Sequence, residues 1–148
     1  MKYDPRLLDI SNYPVVKTLE TMFSDMDIQR HVNNVAIARF FEEARSCLHY
    51  AIREKFPETF GSIVLASFEV HYLREVHYPG PVEIGAGAGR FGTSSFDNVT
   101  ALFQNGECAA ISWGTNVRRN GDRSASQPLS EREREALEKF TVPGAVTG

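Results

Sequence analysis

Apolar residues recur every three or four positions between residues 34 and 53, and this spacing predicts one long amphipathic helix. Asn33 or Asn34 can cap the helix, because a short amide side chain accepts a hydrogen bond from an unpaired N–H group of the first turn. Pro57 then stops it. The apolar stripe that should face the core consists of Ile37, Phe40, Phe41, Ala44, Leu48, Ala51 and Ile52.

Five further segments are rich in Val, Ile, Phe and Thr and are separated by turn residues, as is typical of β-strands. The dipeptide Asn105-Gly106 predicts a tight hairpin, because both positions tolerate the positive φ of a type I′ turn. Strands joined by such short turns pair antiparallel. One helix on one face of one antiparallel sheet is an α+β fold. The predicted strands cover residues 15–23, 63–74, 82–91, 95–104 and 107–118.

Three glycines, Gly85, Gly87 and Gly89, alternate within one predicted strand and therefore point to the same face of the sheet. A strand face without side chains indicates that something approaches the backbone closely. A packed helix or strand and a narrow channel for a ligand both satisfy this pattern, and the sequence leaves the two interpretations open.

The end of the chain predicts a short helix followed by a tail. Ser130, with Glu133 three residues later, forms a capping box, and the helix extends to about Phe140. Residues 141–148 are predicted to form a flexible tail. Residues 1–140 then make up a single domain, which is the usual arrangement for a chain of this length.

Composition and charge exclude several classes of function. The 148 residues are 42% hydrophobic and carry a formal net charge of −3, so a nucleic-acid partner is not expected. The N-terminal stretch contains no apolar segment that would act as a signal peptide or cross a membrane. Cys47 and Cys108 form no CxxC or Cys/His pattern and are predicted to be core residues. We expect a cytoplasmic protein with neither disulfides nor a membrane partner.

Three familiar motifs fail on inspection. Gly87-x-Gly89-x-x-Gly92 has the letters of a dinucleotide fingerprint, but the residues after it alternate like a strand instead of opening a helix. The acidic loop after residue 24 begins like a calcium loop, yet Arg30 stands where that loop requires glycine. The sequence contains no G-x-S-x-G, so a serine nucleophile on a nucleophile elbow is not expected.

A polar loop between the first strand and the long helix is the strongest candidate for a functional site. It spans residues 23–34 and brings the Asp27 carboxylate and the His31 imidazole just upstream of the helix N-terminus. The unpaired N–H groups and the positive dipole end of a helix can stabilise an oxyanion. Acyl transfer needs a carboxylate, an imidazole and an oxyanion-stabilising group of this kind. The simpler structural interpretation is a solvated loop that only caps the helix.

The loop and three later segments together form a recognisable pattern. It consists of Asp25-x-Asp27-x-x-x-His31-Val32-Asn33-Asn34, Phe40-Phe41-Glu42-Glu43-Ala44-Arg45, Tyr72-Leu73-Arg74 and Thr93-Ser94-Ser95. The pattern resembles hotdog-fold acyl-CoA thioesterases of the 4-hydroxybenzoyl-CoA thioesterase type, and also the acyl-ACP thioesterases of fatty-acid synthesis. The resemblance implies a long central helix wrapped by a curved antiparallel sheet of about five strands. It also implies active sites at the interface of a homodimer or of a dimer of dimers.

The resemblance assigns roles to single residues. Asp27 falls on the family's catalytic aspartate and would attack the thioester or activate water, and His31 would orient water or contact the thioester. Backbone N–H groups near Asn33 and Asn34 would form the oxyanion hole. Because a thiolate leaves readily, no metal or cofactor is required. The expected substrate is an acyl-CoA or an acyl-ACP, and the substrate-binding candidates are Gln29, Glu42, Ser94 and Ser95.

Two other functions are compatible with this pattern, namely a hotdog hydratase or dehydratase acting on acyl-CoA and a non-catalytic protein that binds acyl thioesters. The hydratase pattern Asp-x-Asn-Pro-x-His places its histidine five residues after the aspartate, whereas His31 comes four after Asp27. That spacing favours hydrolysis. Gln29 stands where acyl-ACP enzymes have asparagine, and Arg30 stands where bacterial acyl-CoA enzymes usually have glycine, so the sequence leaves the subgroup open.

Overall fold

A 22-residue helix and five antiparallel strands dominate the computed structural model, which describes residues 2–146. The strand order is β1-β3-β4-β5-β2, so β1 and β2 lie at the two edges of one curved sheet. The α+β class and the hotdog arrangement that the sequence predicts are confirmed. The elements are β1 (Val15–Glu20), α1 (Asn34–Lys55), β2 (Ile63–Tyr72), β3 (Pro81–Phe91), β4 (Ser95–Gln104), β5 (Glu107–Arg118) and α2 (Glu131–Lys139).

Helix α1 lies across one face of the sheet, where its apolar stripe packs mainly against β1, β3 and β4. Asn33 is the N-cap, and its Oδ1 accepts a hydrogen bond of 2.8 Å from the N–H group of Ala36. The predicted helix and its capping residue are therefore confirmed. This packing holds the polar residues that precede α1 at one end of the strands.

Strands β3, β4 and β5 agree with their predicted bounds to within one residue, whereas β1 and β2 end earlier than predicted. Strand β1 ends at Glu20, and the N–H and the hydroxyl of the next residue, Thr21, both donate to the carbonyl of Gly80. The predicted hairpin between β4 and β5 is confirmed, since Asn105 and Gly106 have φ values of 53° and 79°.

The glycine face of β3 is covered by the two ends of the chain. A Cβ atom on Gly85 would lie 2.7 Å from the ring of Tyr13, and one on Gly87 would lie 2.3 Å from the side chain of Val142. Close packing is thus the correct interpretation, although the packed elements are irregular segments instead of a helix or a strand. This covered face is the one opposite α1, so it plays no part in the loop before α1.

The predicted tail needs correction at its beginning. Val142 is buried, and its N–H donates to the carbonyl of Ala88 at 2.9 Å, while the N–H of Ala88 donates to the carbonyl of Phe140 at 2.7 Å. The chain therefore stays packed beyond residue 140, because the bare face of β3 accepts an apolar side chain there. Residues 1, 147 and 148 lie outside the described residues.

One buried carboxylate ties α2 to the rest of the fold. Ser130 and Glu133 form the predicted capping box, with hydrogen bonds of 3.1 and 3.0 Å. Glu133 is 2% exposed and also accepts hydrogen bonds from the Phe60 N–H at 2.6 Å and from Nε of Arg118 at 3.0 Å. Burial alone would raise the pKa of Glu133, but these donors outweigh it and hold the pKa below its usual value. The network joins α2 to the end of β5 and to the loop after α1.

Candidate functional site

The loop before α1 folds into a tight turn around Asp27. Met26 and Val32 form an isolated antiparallel bridge, and the N–H of Asp27 donates to the carbonyl of His31 at 2.9 Å. One carboxylate oxygen of Asp27, Oδ1, accepts hydrogen bonds from the N–H groups of Gln29 at 2.8 Å and His31 at 3.2 Å. Within residues 2–146, the other oxygen accepts none, and the Asp27 side chain is exposed.

Arg30 closes the turn in a left-handed backbone conformation, with φ of 64°. Its N–H donates to the carbonyl of Asp27 at 3.0 Å. Glycine adopts this conformation without steric cost, whereas a residue with a Cβ does not. Arg30 therefore occupies a position at which glycine would be more favourable.

An ion pair between a buried carboxylate, Asp25, and a half-exposed guanidinium, Arg39, joins the loop to α1. Asp25 is 4% exposed, and its carboxylate accepts hydrogen bonds from the Met22 N–H at 2.9 Å and from Nη2 of Arg39 at 2.8 Å. Sequence reasoning did not single out this pair, although Asp25 opens the family-like motif. Removing Arg39 would leave a buried charge without its partner, so the pair fixes where Asp27 lies relative to the helix.

One of the two residues predicted for the oxyanion hole, Asn33, already uses its N–H group within the fold. The N–H of Asn33 donates to the carbonyl of Asp25 at 2.8 Å, and the N–H of Ala36 is taken by the Asn33 side chain. Neither group is free for a ligand. Among the hydrogen bonds of the described residues, none uses the N–H groups of Asn34 and Val35, so these two are the donors that the N-terminus of α1 offers.

Asp27 lies between two open clefts. The larger, of about 820 Å³, has a mainly apolar wall, and Ile28 in it is 97% exposed. The smaller, of about 320 Å³, is more polar. A substrate can therefore reach Asp27 from an apolar and from a polar side. Residues of the larger cleft are Phe23, Met26, Ile28, Arg30 and Tyr78; those of the smaller include His31, Asn34, Ile37, Tyr72 and Glu75.

His31 contacts two residues that the sequence analysis missed. Its Nε2 atom lies 3.1 Å from Oε2 of Glu75, and the same oxygen lies 3.7 Å from Nε2 of His77. The two imidazole rings are T-shaped with centroids 5.5 Å apart. No sequence signal links these residues, because Glu75 and His77 follow β2 and meet His31 only through the fold.

Gln29 and Glu42, both predicted to bind substrate, lie in different places. Gln29 is exposed in the turn, where its N–H contacts Asp27, so the structure brings it to the site. Glu42 is exposed and lines neither cleft. It comes eight residues after Asn34, which places it roughly 12 Å along the axis of α1.

Ser94 and Ser95 lie at the far end of the sheet from Asp27. The Asp27 loop follows β1, whose last residue pairs with Pro81 at the start of β3, whereas the two serines follow the end of β3. A strand of this length spans roughly 30 Å. Within one chain the serines therefore do not join the Asp27 site.

A polar stripe under α1 was also missed. The side chains of Asn98, Thr100 and Ser112 are fully buried on the face of the sheet beneath the helix, and their polar atoms have no hydrogen-bond partner among the described residues. Asn98 lines a small cavity together with Arg45 and His49, and burial lowers the pKa of both of these side chains. The sequence does not predict this stripe, because both faces of β4 are buried and the order of polar and apolar residues does not say which face meets the helix.

The two cysteines differ in burial: Cys108 is buried in the core, whereas Cys47 is half-buried and lies in neither core cluster, so its predicted core position is wrong. Both are free thiols, and burial raises the pKa of Cys108 to about 11, which keeps it protonated and unreactive near neutral pH. The prediction that Cys108 is a core residue is confirmed. Among residues 2–146, no helix is long and apolar enough to cross a membrane.

Several proteins of known structure share this fold. A Pseudomonas aeruginosa PAO1 protein is 25% identical, the match covers 91% of this chain and 96% of that one, and the TM-score is 0.75. A thioesterase from Thermus thermophilus, solved in complex with coenzyme A and Zn, is 29% identical with coverages of 87% and 95% and a TM-score of 0.73. A thioesterase-superfamily protein from Jannaschia sp. CCS1 is 25% identical with coverages of 84% and 82% and a TM-score of 0.71.

The strongest evidence for the family comes from the sequence itself. No curated protein matches the chain. The family model of the thioesterase-like superfamily, however, matches residues 22–137. This span contains the Asp27 loop, α1 and strands β2 to β5. The chain therefore belongs to the thioesterase-like superfamily.

Proposed function

We propose that this chain hydrolyses acyl-CoA thioesters, with Asp27 as nucleophile or general base. The observation that carries the proposal is the position of the Asp27 carboxylate, which lies between an apolar and a polar cleft with one oxygen free of hydrogen bonds to the described residues. Membership of the thioesterase-like superfamily supports hydrolysis of a thioester. The similar thioesterase that was solved with coenzyme A supports CoA as the carrier.

The proposed reaction uses groups that lie within this loop and the first turn of α1. The Asp27 carboxylate takes a proton from a water molecule whose oxygen attacks the carbonyl carbon, or it attacks that carbon itself and water cleaves the resulting anhydride. In both routes the carbonyl oxygen becomes negative, and the N–H groups of Asn34 and Val35 would stabilise it. The C–S bond then breaks and the thiolate leaves. It takes up the proton that Asp27 accepted or, in the anhydride route, a proton from the water that cleaves the anhydride. His31 is placed to orient water or to contact the thioester.

The two clefts suggest how the substrate lies. The larger cleft would take the acyl group, since its wall includes Phe23, Ile28 and Tyr78. An apolar acyl group is stabilised by roughly 25 cal/mol for each Å² of apolar surface removed from water. The smaller cleft, with its polar lining, would take the pantetheine arm. An acyl-ACP presents the same arm and thioester, so this arrangement serves either carrier.

We also propose that a second copy completes the site. Strand β2 is ten residues long, forms an edge of the sheet and exposes Phe68 and Tyr72 by 46% and 50%. An exposed edge of this kind pairs readily with another strand. Antiparallel pairing of two β2 strands would set the beginning of one beside the end of the other, and this places Ser94 and Ser95 of the partner subunit at the Asp27 end.

The edge pairing predicts the effect of a charge on β2. In Phe68→Lys, an ammonium group would lie at the paired edge and beside Arg45, whose guanidinium lies 5.1 Å from the Phe68 ring. We expect the dimer dissociation constant to rise about tenfold or more, which corresponds to about 1.4 kcal/mol. Analytical ultracentrifugation measures it. Tyr50→Lys on α1, 73% exposed, is the matched control and should leave the assembly unchanged. Equal dimer dissociation constants for Phe68→Lys and Tyr50→Lys would contradict the proposed pairing of β2 strands.

A panel of thioesters tests the proposed function. Purified protein should release free thiol from at least one member of a series of short, long and aromatic acyl-CoAs, and the same acyl groups on acyl carrier protein decide which carrier it prefers. An enoyl-CoA assayed for hydration tests the hydratase alternative. Release of no thiol from any of these esters, together with tight binding of an acyl-CoA, would support the non-catalytic alternative and overturn the proposal.

A further inference from the structure

Two imidazoles and a carboxylate converge beside the Asp27 loop, and we propose that His31, Glu75 and His77 form a binding site for Zn²⁺. Their donor atoms all lie within 4.8 Å of one another. Imidazole nitrogen and carboxylate oxygen are ligands that zinc commonly takes in proteins. A site of two histidines and one glutamate leaves a fourth position open for water or for a ligand.

Two of the three distances between the donor atoms are close to those that zinc requires. Tetrahedral coordination with bonds of about 2.0–2.1 Å puts neighbouring ligand atoms about 3.3 Å apart. The His31 and Glu75 donors are 3.1 Å apart, and the His77 and Glu75 donors are 3.7 Å apart. Small rotations of three side chains that are 34%, 62% and 59% exposed would therefore suffice to bind the ion.

The backbone under these side chains is already fixed. The side chain of Gln104 accepts a hydrogen bond from the N–H of His77 at 2.9 Å and donates one to its carbonyl at 2.8 Å. The N–H of Val32 donates to the carbonyl of Val76 at 2.8 Å, which aligns the His31 segment with the segment that carries the other two ligands. Binding then costs only side-chain ordering, because the two segments need not move.

The zinc site and the proposed hydrolysis both use His31. The effect of zinc on hydrolysis therefore rests on the proposed function. Zinc on Nε2 of His31 would prevent that nitrogen from contacting water or the thioester. Zn²⁺ should therefore inhibit hydrolysis, and removal of the ion with a chelator should restore it. This role differs from a catalytic metal, in keeping with the expectation that the reaction itself needs none.

Isothermal titration calorimetry with Zn²⁺ tests the site without any assay of activity. Chelator-treated wild-type protein should bind one ion per chain through these residues, and His77→Ala and Glu75→Gln should each weaken that binding by at least about tenfold. His71→Ala is the matched control, because His71 also contacts a glutamate, Glu69, but has no third ligand beside it among the described residues. No stoichiometric binding, or equal binding by all four proteins, would overturn the proposal.

The same variants test whether zinc inhibits hydrolysis through the proposed metal site. Loss of thioester absorbance is the appropriate readout, because a released thiol would itself bind zinc. Zinc should inhibit wild type and His71→Ala, whereas His77→Ala should keep its basal activity and resist the ion. Inhibition of His77→Ala to the same extent as wild type would contradict the assignment. A wild type that binds zinc through these residues but hydrolyses nothing would sink the proposed function and leave the metal site standing.

Discussion

Asp27→Asn should lower kcat/KM for thioester hydrolysis by about 10²- to 10⁴-fold, which is the usual contribution of a positioned acid or base. The asparagine Oδ1 can still accept the N–H groups of Gln29 and His31, so the turn should keep its shape. Only the negative charge is removed. We therefore expect the loss in kcat, with acyl-CoA binding nearly unchanged, and steady-state kinetics on the best substrate of the panel measures both.

A second acid on the same chain provides the control for charge. Glu54→Gln removes one negative charge from the exposed end of α1, far along the helix from Asp27. It should hydrolyse like wild type. If Asp27→Asn retains wild-type kcat, the carboxylate is neither the nucleophile nor the base, and the site must be sought elsewhere.

Glu133→Ala should lower the free energy of unfolding by about 3–5 kcal/mol, because it leaves a largely buried guanidinium without its partner. The side chain of Arg118 is only 14% exposed, and the N–H of Phe60 loses its acceptor as well. Unfolding in urea, followed by circular dichroism, measures the effect. Glu135→Ala, an exposed acid of the same helix, should change stability by less than about 0.5 kcal/mol.

The pH dependence of this variant follows from the lowered pKa of Glu133. A carboxyl whose folded pKa lies below its unfolded value stabilises the fold above the unfolded pKa, and that contribution is lost as the pH falls through the folded value. The stability difference between wild type and Glu133→Ala should therefore shrink in acid. A difference that grows on acidification would contradict the ion pair as its source.

Much of the fold could be predicted from local pattern. Three features are each encoded within a few residues, and the structure confirms the prediction of each. They are the apolar spacing of α1, the Asn105-Gly106 turn and the Ser130 capping box. The end of the chain could not be predicted in this way. Val142 is packed because a glycine face elsewhere in the sequence accepts it, and no local pattern carries that information.

The residues of the candidate site also fall into two groups, those that a local motif predicts and those that only the fold brings together. The Asp27 turn and the first turn of α1 are contiguous in the chain, so a motif can identify them. Glu75 and His77 lie near His31 because β2, which precedes them in the chain, forms an edge of the sheet. Contacts of this kind depend on strand order, which the alternation of apolar and polar residues does not determine.

The position of Ser94 and Ser95 has a related cause. Their segment resembles the family's, yet the sheet separates it from Asp27 by the length of a strand. In the proposed dimer, the neighbours of these serines would belong to the partner subunit. A motif within one chain does not encode such a contact, because it depends on how two copies pair.

The most direct test of Asp27 as the catalytic group is a single-turnover experiment with protein in excess over a hydrolysable acyl-CoA. Wild type should release one equivalent of thiol per substrate in a single exponential, and Asp27→Asn should do so at least about 10²-fold more slowly while still binding the ester. Equal rate constants for the two proteins would contradict the account.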